Sequence, residues 1–156
     1  TNQYRWEDGR NVTDFNPYTN MTDSAYPQTR WVDVLQNEFA ARADWCVSNY
    51  ENANHAPSVE LNHSEDLTVK PGAQVQFDGS ADDPDGDRLS YRWWLYQEAD
   101  SYQGAIEISD SQSQKAAFNV PEDTKAGDTI HIILEVTDSG SPPLIRYRRV
   151  IATVEQ

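Results

Sequence analysis

The chain has 156 residues, 37% of them apolar, with 26 acidic side chains against 12 basic ones and a formal charge of -14. Nucleic acid and anionic membranes are both bound mainly through basic residues, so this balance excludes them and leaves a cation or a neutral ligand such as a polysaccharide. The length suits one domain with a real core plus a small appendage, and the single cysteine, Cys46, rules out an intramolecular disulfide.

Residues 1–28 are polar and irregular, with Trp6, Phe15, Tyr18 and Tyr26 set among Asn, Asp and Thr. No period persists, yet the aromatics are too many for a free linker. The segment reads as an arm lying against something folded, the tail of a preceding domain. Residues 29–52 read as a helix and linker. Thr29 is placed to cap the helix, Asp33 suits its positive end, and Trp31, Leu35, Phe39 and Ala43 recur at helical spacing. That stripe needs a surface to bury it, and Cys46 reads as a small core residue beside it.

The polar segment YENANHAP ends in proline and marks a boundary, so residues 53–156 form the main domain. Short strand patterns follow at 58–61, 67–69, 73–78, 89–96, 106–109, 116–120, 129–137 and 146–154, with turn signals between them. Such spacing indicates an antiparallel β-sandwich. The central stretch is FDGSADDPDGDRLSYRWWLY. A strand ending near Phe77 breaks at Gly79 into an acidic turn and resumes at Leu89. Leu89, Tyr91, Trp93 and Leu95 then share one face, which makes Trp93 the core tryptophan, while Arg92, Trp94 and Tyr96 share the other.

Three local patterns resemble one superfamily of extracellular modules. NHAPSVEL resembles the opening strand of PKD-like and cadherin-like domains, FDGSADDPDGDRLSYRW the PKD pattern, and VTDSGSPPL the cadherin-like one. The resemblance implies a mainly β, immunoglobulin-like (PKD/cadherin-like) sandwich, here preceded by an N-terminal α-helix and an irregular arm. Over a longer span, RWVDVLQNEFAARADWCV, ANHAP, RWWLYQEADSY and TIHIILEVTDSGSPPLIRYRRVI resemble the C-terminal domain of a bacterial family named as cellulose-binding. In that family the domain follows a nucleoside-hydrolase-like domain. The resemblance implies a secreted or cell-surface protein and a polysaccharide-directed accessory module. It carries no ligand motif.

The residues themselves offer three chemistries. Sugar binding needs aromatic rings that stack on the apolar face of a pyranose. Trp94 and Tyr96, two positions apart on one face, would put their rings ~7 Å apart along the strand; Tyr102 and the arm's Trp6, Tyr18 and Tyr26 take over if a helix covers that face. Calcium needs several oxygens from a flexible turn, and Asp83, Asp85 and Asp87 stand at alternate positions. The EF-hand pattern fails for want of a glutamate at its twelfth position. Asp138 and Asn54 fall where the cadherin-like resemblance implies further ligands. Catalysis finds no support: His55, His63 and His131 are scattered, and no nucleophile triad, zinc spacing or phosphate loop appears. The fragment reads as non-catalytic, with a structural spacer packed on the preceding domain as the competing account. Arg146, Arg148 and Arg149, near Arg92, are expected to pair with Glu135 or Glu107 across strands, docking against the partner domain being the other account.

Overall fold

The computed structural model describes residues 13–155. Trp6, one of the expected sugar-stacking residues, lies outside that range. The chain divides into two compact units, Thr1–Gln36 and Asn37–Gln156.

The first unit is more regular than its sequence suggests. β1 (Asp14–Asn16) and β2 (Met21–Asp23) form an antiparallel hairpin. Asn16 ties the turn by accepting the Tyr18 N–H at 3.0 Å. A single helical turn follows, α1 (Tyr26–Thr29), with Pro27 in its first turn where a missing N–H does no harm. Arg30 pairs with the buried Asp14 at 3.2 Å and lies over the Tyr26 and Trp31 rings. Thr29 therefore ends α1 and does not cap the long helix. Each strand spans only three residues, too few for a period to register.

The long helix is α2 (Val32–Trp45). Its acidic first turn and basic last turn agree with the dipole. The expected buried stripe is not formed: Leu35 is 63% exposed, Phe39 76%, and Cys46 just beyond the helix is exposed as well. The helix is tied down by other means. Ala41 is its buried residue, Asn37 donates to the Pro143 carbonyl at 3.1 Å, and Glu38 pairs with Arg146. A small residue and polar links hold it where large apolar side chains were expected to.

The second unit is an immunoglobulin-like sandwich of two four-stranded sheets. Its strands are β3 (Ser58–Leu61), β4 (Asp66–Val69), β5 (Gln74–Asp82), β6 (Ser90–Leu95), β7 (Ile108–Ser109), β8 (Lys115–Asn119), β9 (Thr129–Thr137) and β10 (Ile145–Val154). One sheet runs β4-β10-β9-β6 and the other β3-β5-β8-β7. Neighbours are antiparallel except β4 and β10, which run parallel.

Alternation along the strands builds the core. Ile130, Ile132, Leu134 and Val136 of β9 are fully buried, as are Phe77 of β5 and Trp93 of β6. The Phe77 ring stacks on Trp93 at 5.1 Å and on Phe118 at 5.7 Å. Trp93 satisfies its indole N–H on the Ser113 carbonyl at 3.0 Å. β5 does not stop at Gly79. It runs on to Asp82, because β3 pairs with its second half, Leu61 opposite Gly79 and Ser58 opposite Asp82. Gly79 is a packing requirement: a Cβ there would lie 2.5 Å from a Leu134 methyl. The acidic turn begins only at Asp83.

The arginines pair differently from expectation. Arg92, directly across from Glu135, takes that carboxylate at 2.8 Å, and Arg146 goes to Glu38 of the helix.

Candidate functional site: the acidic and aromatic end of the sandwich

Three segments meet at one end of the sandwich: residues 53–57 before β3, 83–89 between β5 and β6, and 138–144 between β9 and β10. Each is shaped by a short polar side chain that holds backbone, which is why Asp and Asn recur there. Asp83 Oδ1 accepts the N–H groups of Asp85 and Asp87 at 2.9 and 3.1 Å, and Gly86 supplies the positive φ of 76° that the turn needs. Asp138, 5% exposed, accepts the N–H groups of Gly140 and Leu144 at 3.1 and 2.9 Å.

Side chains then stitch the segments together. Asn54 donates to Asp138 Oδ2 at 3.3 Å and to the Pro142 carbonyl at 2.8 Å. Ser139 donates to Asp87 Oδ1 at 3.1 Å and accepts the Arg88 N–H at 3.1 Å. His55 holds Asp85 twice, through its backbone N–H at 2.6 Å and its ring Nδ1 at 3.0 Å. The fit around Asn54 leaves no room for a side chain at Gly140, whose Cβ would lie 2.1 Å from Asn54 Oδ1.

Of the five residues expected as a cation set, the three turn aspartates form one cluster, while Asn54 and Asp138 are hydrogen-bonded to each other in the neighbouring segments. Asp83, Asp85 and Asp87 each offer an oxygen within 4.8 Å of the others. Asp83 Oδ2 is buried and has no hydrogen-bond partner among the described residues. Burial pushes the Asp138 carboxyl above its ordinary range, three hydrogen bonds oppose the rise, and the Asp83 charge adds to it. Oxygen donors of this kind suit a hard divalent cation such as calcium. Asp85 fits that role least, since both its oxygens are engaged by His55.

The expected sugar-stacking residues are not brought together. Trp94 lies on β6, but the strand ends at Leu95 and Tyr96 turns into the following 3-10 helix; the two rings stand 5.7 Å apart at 62°, edge to face. The flat pair of platforms expected ~7 Å apart from strand geometry is therefore absent. Both rings are half-buried, and the Arg92 guanidinium lies 5.8 Å from the Trp94 ring. Tyr102 is half-buried and packs on the core, and its hydroxyl donates to Asp123 at 2.9 Å, which raises the phenol's pKa.

Trp45 and Tyr50 escaped the sequence reading. Trp45 closes α2, and Tyr50 opens a single 3-10 turn at Tyr50–Asn52. Their rings stack on His55, with centroids 5.4 and 3.9 Å away and planes inclined by 13° and 26°. The Trp45 indole N–H donates to the Asn54 carbonyl at 2.8 Å. The available signal was the spacing: two aromatics flank the polar segment that leads to His55 and the boundary proline.

Comparisons with known proteins follow the same outline. The family model described as cellulose-binding protein Sde0182, C-terminal domain, matches residues 74–154. A nucleoside hydrolase-related hypothetical protein from Saccharophagus degradans, described as associated with carbohydrate metabolism, is 34% identical, with a TM-score of 0.77. The match covers 92% of this chain and 40% of that one, so the chain spans about two fifths of that protein's length. The PKD domain from the KIAA 1837 protein is 20% identical at a TM-score of 0.44, over 67% of this chain and 94% of that one. The human CDH23 EC21-23 structure is 19% identical at a TM-score of 0.42, over 64% and 33%. No curated protein matches the chain by sequence.

Proposed function

The chain belongs to the family of the C-terminal domain of cellulose-binding protein Sde0182, and on that footing we propose that it is a non-catalytic module that binds polysaccharide. The observation that carries this reading is the family match itself, which runs from β5 through β10 and so takes in most of the sandwich. Exposed aromatics on an acidic surface are consistent with it, because ring stacking on sugars depends on desolvation and needs no charge of its own. The related Saccharophagus protein, described as associated with carbohydrate metabolism, points the same way.

The polymer would be met outside the cell or at its surface. Among the described residues no helix is long and apolar enough to cross a membrane. In the longer protein the module would sit beside a nucleoside-hydrolase-like domain, which is where any hydrolysis would occur. The test is a pull-down of the chain on insoluble cellulose, xylan and chitin, with Trp94→Ala beside the wild type. Retention on at least one polymer supports the reading. Binding lost with Trp94→Ala would assign the outer face of β6.

A second reading is favoured by the exposed apolar residues of α2. Leu35 and Phe39 would then meet the neighbouring domain of a longer chain, and the module would be a spacer without a ligand of its own. Failure to bind any polymer supports it.

Calcium is proposed as the ion at the acidic end. Asp83, Asp87, Asp138 and Asn54 would supply oxygens, Asp85 joining if His55 gives way. The ion would neutralise the crowded carboxylates and fix the three segments. The buried, unpartnered oxygen of Asp83 is the observation that favours it.

A further inference from the structure

We propose that Trp45 and Tyr50 form a sugar-stacking site for neutral pyranose polymers at the acidic end of the sandwich. The inference rests on the polysaccharide-binding reading and adds to it a place and a ligand class.

Three observations support the place. The first is rigidity. His55 is fixed by its two hydrogen bonds to Asp85, and both rings lie nearly parallel to its imidazole. Trp45 is further fixed by its bond to the Asn54 carbonyl. Rings already held in place lose little freedom when a ligand arrives. The second is exposure. Tyr50 remains 64% exposed and Trp45 40%, although each lays one face toward His55. A packing role alone would bury them further. The third is contrast with the other aromatics: Trp94 and Tyr96 cross at 62°, and Tyr102 is packed on the core.

The class follows from charge. His55 links the rings directly to Asp85, whose carboxylate lies within 4.8 Å of those of Asp83 and Asp87. The whole chain carries -14. A uronate polymer would approach against that field, whereas neutral hydroxyls would not. The apolar C–H face of a neutral pyranose fits on an open ring, and its hydroxyls can donate to nearby carboxylates.

The test is affinity electrophoresis of the full chain in gels containing hydroxyethyl cellulose, xylan or polygalacturonate. Wild type, Tyr50→Ala, Trp45→Ala and Trp94→Ala are compared, with the melting temperature of each recorded. The expected result is retardation by a neutral polymer and none by polygalacturonate. Tyr50→Ala should then weaken binding about tenfold, the scale of one aromatic contact, while Trp94→Ala binds as wild type. Should Tyr50→Ala melt early, Tyr50→Leu keeps apolar bulk over His55 without an aromatic face and should show the same loss. Unchanged binding by the Tyr50 variants overturns this placement but leaves the polysaccharide reading standing. Equal retardation by polygalacturonate overturns the ligand class. A wild type that no polymer retards overturns the reading beneath both.

Discussion

His55 and Asp85 lie 30 residues apart in the chain and hold each other through two hydrogen bonds, at 2.6 and 3.0 Å. The pair joins the aromatic stack to the acidic turn, so a change on one side is felt on the other. Asp85→Ala should free the imidazole, loosen Trp45 and Tyr50, and weaken binding to a neutral polymer by several-fold. Its cost in stability should be small, ~1 kcal/mol, because the pair is near the surface. Urea melts and affinity gels on the same variant separate the two effects.

Gly79 should not tolerate a side chain. The Cβ of an alanine would sit 2.5 Å from a Leu134 methyl and 3.2 Å from the Trp93 ring. Leu134 and Trp93 are both in the core and cannot yield without repacking. Overpacking of this kind costs ~1–3 kcal/mol, so Gly79→Ala should lower the urea midpoint with an unchanged slope.

Asp100 should make stability depend on pH. It is 8% exposed, accepts the His131 N–H at 2.5 Å through one oxygen, and has no hydrogen-bond partner for the other among the described residues. Burial above all, with a contribution from the Glu98 charge, pushes its pKa from 3.8 to about 6. The folded chain therefore keeps this proton at pH values where the unfolded chain has released it. Between about pH 4 and pH 6 the contribution to stability falls as pH rises, by at most ~3 kcal/mol. Asp100→Asn should flatten that part of the profile, measured as the difference between the two unfolding curves.

Calcium should raise the melting temperature by several degrees over chelator, since an ion bound to the folded state alone stabilises it by mass action. Asp138→Asn should abolish most of the rise. Identical melts with calcium and with chelator would remove the ion from the account.

Phe39→Ser should change the stability of the chain alone by less than ~0.5 kcal/mol, because the side chain is 76% exposed. A large loss measured in a chain that also carries a neighbouring domain, set against that small one, would show that α2 carries a domain contact.

Much of the sandwich was legible from alternation. β3 and β9 have the bounds read from their patterns, and Trp93 takes the core place its strand face implied. The aspartates at 83, 85 and 87 also cluster as their alternate spacing suggested, because short polar residues in turns report on backbone needs that are local. What stayed hidden was decided by partners distant in sequence. β5 continues past Gly79 because β3 pairs with it. The apolar spacing in α2 gave a face but not what covers it, and Leu35, Phe39 and Cys46 are exposed. Trp45, Tyr50 and His55 stack only because the end of the helix returns to the segment that Asp85 holds. The crossing of Trp94 and Tyr96 reflects side-chain torsions that strand spacing does not contain.

The most direct measurement is depletion binding of the chain to insoluble cellulose, with xylan and chitin in parallel. The account predicts saturable retention on at least one of these neutral polymers, competed by its soluble oligosaccharide. Protein left wholly in the supernatant with all three would contradict the central claim and leave the spacer in its place.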